Sequence, residues 1–230
     1  MLLSEIFASV QGEGVSLGVP SVFVRFAECQ LQCTWCDTKY TWDWDHHDRA
    51  AEVSDVPLDE VVATIVALAG AGTRNVVLTG GEPLLHQDAL VALATELRAR
   101  GFRLEVETNG AIEPTAALRD AIDQWNVSPK LASSGNKVSA RLRVGPLTTF
   151  AALATAGFKF VACAPADVDE IRAIAATYAI AADRITIMPE GTTPEAIRDG
   201  GRGLVEPCRA YGFRLGTRLH VLLWGSERGK

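Results

Sequence analysis

Short β-branched and aromatic runs alternate along the chain with longer stretches whose apolar residues recur at helical spacing. That rhythm predicts a mostly parallel sheet covered by helices. Strands are expected at Ser4–Ser9, Ser21–Phe26, Asn75–Leu78, Arg103–Glu107, Gln124–Val127, Phe158–Ala162 and Arg184–Met188. Between them the spacing predicts helices over Leu58–Ala69, Gln87–Arg100, Pro114–Ile122, Thr148–Ala156, Val168–Ala179 and Pro194–Tyr211, followed by a last apolar run at Arg218–Leu223. Pro57 stands near the start of the first helix, where a missing N–H costs little. Gly200, Gly201 and Gly203 lower the propensity of the last helix by roughly 1 kcal/mol each relative to Ala, which leaves its boundary weakly specified. About six βα units are too few to close an eight-stranded barrel. The expected fold is therefore α/β, an open partial (βα)6 barrel with mostly parallel strands, formed as a single domain over residues 1–230.

The unusual residues fall at consistent points of this rhythm. Cys29–Tyr40, Thr79–Pro83, Thr108–Gly110, Ser128–Lys130 and Met188–Gly191 each follow the C-terminal end of a predicted strand. In parallel α/β folds those ends carry the site, so five polar or Gly/Pro-rich segments converge on one rim.

Composition narrows the chemistry. Of 230 residues 48% are hydrophobic and 22% charged, as in an ordinary globular protein. A net charge of −6 argues against a nucleic-acid surface, which needs a clustered basic field, and favours a small-molecule substrate. The longest apolar run, around Val61–Gly72, is short of the roughly 20 residues a bilayer span needs. Met1–Val10 carries Glu5 and no basic stretch, unlike a signal peptide, and a cytoplasmic location is expected. Five cysteines, three of them within eight residues, suit a metal in a reducing compartment better than disulfides.

The close trio is Cys29-Gln-Leu-Gln-Cys33-Thr-Trp-Cys36. Three thiolates so spaced in a loop can reach three corners of one iron–sulfur cubane and leave the fourth iron open, whereas four cysteines are the commoner solution. A structural zinc ion would instead recruit a fourth ligand from His46, His47, Cys163 or Cys208. The C-x3-C-x2-C spacing, with an aromatic residue before the last cysteine, resembles the signature of the radical S-adenosylmethionine (SAM) superfamily. Thr79-Gly80-Gly81-Glu82-Pro83 is similar to that superfamily's GGEP motif, which meets the amino group of SAM. There the glycines would let backbone approach a ligand, and Glu82 or nearby carbonyls would accept from its ammonium. The resemblance implies that the open iron chelates SAM and that the reduced cluster cleaves it to methionine and a 5′-deoxyadenosyl radical.

The flanking residues narrow the resemblance further. Glu5-Ile6-Phe7-Ala8-Ser9-Val10-Gln11-Gly12-Glu13-Gly14, Val22–Phe26, Cys36-Asp37-Thr38-Lys39-Tyr40, Val127–Lys130 and Leu219–Gly225 are together similar to the 7-carboxy-7-deazaguanine synthase family over nearly the whole chain. Members contract 6-carboxy-5,6,7,8-tetrahydropterin to a deazapurine with loss of ammonia, on the route to queuosine and related compounds. A superfamily relative, the glycyl-radical-enzyme activase, shares the cysteine spacing but has no use for Gln11–Gly14 or Asp37-Thr38. The resemblance implies a cycle in which the radical takes hydrogen from C6 of the pterin, the ring contracts and the hydrogen returns. It also implies an electron donor such as flavodoxin or ferredoxin, and a homodimer.

Roles follow residue by residue. Cys29, Cys33 and Cys36 would hold the [4Fe–4S] cluster, and Thr38 would be the sole protein ligand of a Mg²⁺ that also binds substrate. Magnesium keeps most of its shell for water or substrate oxygens, which fits one hydroxyl; without the resemblance, Thr38 reads as a helix cap. Trp35, Cys36, Asp37, Gly81, Ser128, Pro129, Lys130, Met188, Pro189, Glu190 and Gly191 would line the SAM site. Val10, Gln11, Gly12, Glu13, Arg25 and Thr79 would meet the pterin. Glu13 can accept from the pterin's ring N–H and amino donors, and Arg25 can pair in bidentate fashion with its carboxylate or form a surface ion pair. Asn109 sits in a Thr-Asn-Gly turn that the family shares and that Asn-Gly chemistry alone also explains. Trp42–Asp48 reads as a surface excursion after the cluster loop, and Cys163 and Cys208 as buried free thiols.

Overall fold

The computed structural model describes all residues from 1 to 230. In chain order its strands are β1 (Leu2–Val10), β2 (Pro20–Phe26), β3 (Ser54–Asp55), β4 (Asn75–Gly80), β5 (Arg103–Thr108), β6 (Gln124–Val127), β7 (Ala156–Ala162), β8 (Ile185–Pro189) and β9 (Arg214–Leu215). They form one open sheet in the order β3-β1-β2-β4-β5-β6-β7-β8-β9. From β2 to β9 every neighbouring pair is parallel. The entry differs from a pure βα rhythm: β1 runs antiparallel to both β2 and β3. A ten-residue-scale connection such as 11–19 suffices for that reversal, whereas a parallel crossover needs a dozen residues or more.

The helices are α1 (Arg49–Glu52), α2 (Leu58–Ala69), α3 (Gln87–Ala99), α4 (Ala116–Ala121), α5 (Val138–Arg141), α6 (Val144–Ala152), α7 (Asp167–Thr177), α8 (Pro194–Tyr211) and α9 (Leu219–Trp224). Their buried positions repeat at helical spacing, as Leu90, Leu93, Ala94 and Leu97 do on α3. Strands such as β4 are buried almost throughout, as parallel strands covered on both faces must be. One continuous core of 37 buried residues results, with Trp125, Phe26, Phe150, Phe158 and Phe160 its largest fully buried members.

One expected boundary is corrected, and two weakly specified segments take definite form. The helix expected over Thr148–Ala156 begins earlier, at Val144, and Ala156 opens β7 instead. Helix α8 runs unbroken through its three glycines and Pro207. Thr193 caps it by accepting from Ala196 N–H, and Gly200 lies where a Cβ would stand 3.0 Å from Pro189 Cβ, so its missing side chain lets the helix close on the end of β8. The run at Arg218–Leu223 forms α9, a helix whose N–H of Leu219 donates to Gly12 O at 2.9 Å. The last part of the chain thereby folds back over the end of β1.

Candidate active site

The ends of β1, β2, β4, β5, β6, β7 and β8 surround one cavity of about 230 Å³. At one end lies the cysteine loop. Gly81 N–H donates to Phe26 O at 3.0 Å and Glu82 N–H to Glu28 O at 2.8 Å, which lays the Gly80-Gly81 backbone flat against the loop. A Cβ on either glycine would overlap Phe26 or Glu28 backbone. The glycines are thus explained by the close approach of two protein segments.

Glu82 is also corrected. Its carboxylate is 0% exposed and is consumed within the protein: Oε1 accepts from Leu84 N–H and Thr108 hydroxyl, and Oε2 from Asn109 N–H at 2.7 Å. It ties the end of β4 to the end of β5 and offers nothing to a ligand's ammonium. Asn109 in turn pairs with Gln30 of the cysteine loop, Gln30 Nε2 donating to Asn109 Oδ1 at 3.1 Å.

All five cysteines are free, and no three His, Cys, Asp or Glu side chains converge tightly enough to hold one metal ion. The recruited zinc ligand is absent, whereas thiolates on separate irons of a cubane need no such convergence. Each sulfur of the trio accepts one N–H: Cys29 from Leu31 N at 3.5 Å, Cys33 from Asn136 Nδ2 at 3.3 Å, and Cys36 from Trp42 Nε1 at 3.4 Å. Burial pushes the Cys29 thiol up to about 12 and also raises that of Cys33. Buried thiols of this kind ionise when a metal cation binds, and the N–H donors are already aimed at the resulting charge. The donor set fits an iron–sulfur cluster.

Thr38 precedes a 3-10 turn, Lys39–Thr41, but its side chain caps nothing. The hydroxyl faces the cavity 3.6 Å from Cys36 Sγ, free for another partner.

The cavity walls also carry paired charges. Glu13 accepts from Lys159 Nζ through Oε2 and from Arg218 Nε through Oε1 at 3.0 Å. Arg218 also donates to Gly191 O at 2.7 Å and to Asp37. Burial opposes ionisation of Glu13, but Lys159, Arg218 and His220 outweigh it and hold the carboxyl well below the usual range. Glu107 accepts from Gln11 Nε2 at 3.2 Å and Thr79 Oγ1 at 2.9 Å, with Lys159 Nζ 3.9 Å away. Arg25 gives Nε to Glu5 Oε1 at 2.6 Å in a half-buried pair, and its two terminal nitrogens carry no protein partner.

Of the residues singled out from the sequence, Cys29, Cys33, Cys36, Thr38, Val10, Gln11, Gly12, Glu13, Arg25 and Thr79 all line this cavity. So do Trp35, Asp37, Gly81, Ser128, Lys130, Met188 and Glu190. Pro129, Pro189 and Gly191 do not; Pro189 faces Gly200 of α8, and Gly191 contributes its carbonyl to Arg218. Sequence reasoning missed Trp42, Glu107, Lys159, Arg218 and His220, which also line it. Lys159 was findable, since a lone cation inside the apolar strand β7 is the signal that drew attention to Arg25. Trp42 belongs to the cavity and not to the surface excursion, whose exposed part is around His46, paired with Asp43.

A family model for the Radical SAM superfamily matches residues 24–146. The chain is 42% identical to 7-carboxy-7-deazaguanine synthase of Pyrobaculum aerophilum over 228 residues, 98% of this chain and 96% of that protein. It is 37% identical to the synthase of the same name from Halobacterium salinarum, covering 96% and 90%. Among solved structures it matches the crystal structure of QueE from Escherichia coli with a TM-score of 0.71 and 27% identity, covering 95% of this chain and 94% of that one. A structure of TYW1 with a lysine-pyruvate adduct bound shares the fold alone, at TM-score 0.51 and 15% identity over 81% of this chain and 73% of that one.

Proposed function

The chain belongs to the 7-carboxy-7-deazaguanine synthase family of radical SAM enzymes, and on that footing we propose that it converts 6-carboxy-5,6,7,8-tetrahydropterin to 7-carboxy-7-deazaguanine with loss of ammonia. The observation that carries this reading is that one cavity is lined by two unlike groups. Three N–H-supported thiols form one, and Arg25, with an open guanidinium edge, and the Glu13–Lys159–Arg218 cluster form the other. The match to deazaguanine synthases along the full chain favours this reaction over activation of a glycyl-radical enzyme.

A [4Fe–4S] cluster on Cys29, Cys33 and Cys36 supplies, when bound, the electron that cleaves SAM and starts the hydrogen abstraction. The remaining work belongs to the chain. Arg25 fits the substrate carboxylate, because a guanidinium whose Nε is fixed by Glu5 presents its terminal N–H groups in a preset fork. Glu13 and Glu107 retain lone pairs for the pterin's amino and ring N–H donors, and Lys159 and Arg218 keep Glu13 ionised. Thr38, uncommitted to capping, fits Mg²⁺ as its one protein ligand, leaving coordination places for water and substrate oxygens. Trp35, Asp37, Ser128, Lys130 and Met188 line the side of the cavity assigned to SAM. Arg218 and His220, at the start of α9, add to the cavity wall and help to exclude water from the radical.

The continuous core supports a single domain, and five unpaired cysteines support a reducing compartment such as the cytoplasm. Exposed Val15, Leu17 and Val19 offer apolar surface to a homodimer, and a one-electron protein such as flavodoxin or ferredoxin suits the reductant. The test is anaerobic reconstitution with iron and sulfide, then assay with the carboxytetrahydropterin, SAM and Mg²⁺. Deazapurine absorbance and released ammonia should appear together, and Cys33→Ala should lose both four-iron content and turnover. A fully loaded protein that forms neither product would overturn the assignment.

A further inference from the structure

Trp42 closes the 3-10 turn Lys39–Thr41, its backbone N–H donating to Lys39 O at 3.0 Å. The turn is itself fixed to the root of the cysteine loop. Glu28 N–H donates to Thr41 O at 2.7 Å, and the buried Thr41 hydroxyl donates to Thr38 O at 2.8 Å. With both sides tied, the indole is swung back over Cys36, and Nε1 donates to its Sγ at 3.4 Å.

The three N–H donors on the cysteine sulfurs are not equivalent. The Leu31 donor is backbone and comes with the loop. Asn136 has a second task, since its Oδ1 accepts from Gln32 N–H at 3.0 Å and so shapes the loop. The Trp42 indole has one N–H, no acceptor, and no hydrogen bond except this one. Its polar atom serves the sulfur alone.

We propose that Trp42 is a positioning residue that raises the reduction potential of the iron–sulfur cluster through its N–H···S bond to Cys36, an inference that rests on the cluster assignment above. When one electron from an external one-electron donor enters a cluster bound here, negative charge on the thiolate sulfurs grows. A donor aimed at that sulfur is then held more strongly than before, which favours the reduced state. Only the strengthening on reduction enters the redox equilibrium; since added charge can make a hydrogen bond roughly twice as strong, that increment is about one ordinary hydrogen bond, a factor of about five. The donor side of the bond would therefore matter for whether a mild cellular reductant can load the enzyme.

The experiment is an EPR-monitored redox titration of anaerobically reconstituted wild type, Trp42→Phe and Trp42→His, each checked for four irons per chain. Phe keeps most of the ring and loses the N–H; His restores a ring N–H. At a fixed poise the Phe variant should show a reduced-to-oxidised ratio about fivefold below wild type, and the His variant should return to within about twofold. If Phe alone fails to retain four irons while His retains them, the N–H holds the cluster in place instead of tuning it, and the proposal is overturned. A Phe variant that titrates with wild type would overturn it. So would a His variant that titrates with Phe, since ring volume would then set the potential, and so would loss of iron from both. Wild type that binds no four-iron cluster would remove the assignment beneath the proposal, and the proposal with it.

Discussion

Glu82 offers a sharp test, because the motif it belongs to suggests a ligand contact while its geometry assigns it to the scaffold. Glu82→Ala removes the only side-chain acceptor of two buried backbone N–H groups, those of Leu84 and Asn109, and of the Thr108 hydroxyl. The hydroxyl can turn elsewhere; the two N–H groups cannot. Leaving a buried donor unsatisfied costs about 1–3 kcal/mol, so the pair predicts a loss of about 2–6 kcal/mol, a large share of the roughly 5–15 kcal/mol that holds a domain folded. In urea, at a slope near 3 kcal/mol/M, the midpoint should fall by about 1–2 M. Glu82→Gln should fall between, since one amide nitrogen would then face a donor. SAM affinity, measured by calorimetry on folded protein, should decline only as far as the turn loosens. The reasoning fails if Glu82→Ala unfolds within about 1 kcal/mol of wild type while SAM binding collapses, for the carboxylate would then be a ligand contact.

Two further outcomes follow from the same cavity. Thr38→Ala should leave urea stability within about 0.5 kcal/mol, because the hydroxyl caps nothing, yet raise the Mg²⁺ concentration needed for half-maximal turnover; an unchanged Mg²⁺ titration would remove Thr38 as the ligand. Stability should also fall with acid in two windows. His220 is held below its usual range by burial, so the unfolded chain takes up the proton first and stability declines as pH drops through about 6.5. Glu13 is lowered by Lys159 and Arg218, so its contribution is full above about 4.3 and is lost as pH falls toward its folded value. Glu13→Gln should shrink the lower window in urea titrations across pH to the part contributed by Glu5, which Arg25 holds low against its burial, at a cost of about 3–5 kcal/mol near neutrality; an undiminished lower window would refute the assignment.

Much of this was legible before any coordinates. Buried parallel strands read as short apolar runs, so β2, β4, β5 and β7 fall where β-branched and aromatic residues cluster. The cysteine spacing is local, and local spacing survives folding. What escaped depends on partners distant in sequence. The direction of β1 is set by pairing with β2 and β3, which periodicity within β1 does not encode. The glycines of α8 read as weak helix until Pro189 is known to lie against Gly200. Glu82 reads as a ligand because nothing in its own motif announces Thr108 and Asn109 as its partners. Arg218 and Lys159 have meaning only once Glu13 is seen between them.

The reach of Arg218 has a consequence for the order in which the molecule comes into being. It meets Glu13 across 205 positions and Asp37 across 181. At the usual 5–20 residues per second of synthesis, the cysteine trio leaves the ribosome on the order of ten to forty seconds before the guanidinium that completes the cavity wall beside it. For that interval the thiols are within reach of whatever delivers iron and sulfide, and equally of oxidants. Cluster delivery during translation would meet a cavity wall still incomplete, and delivery afterwards a finished one.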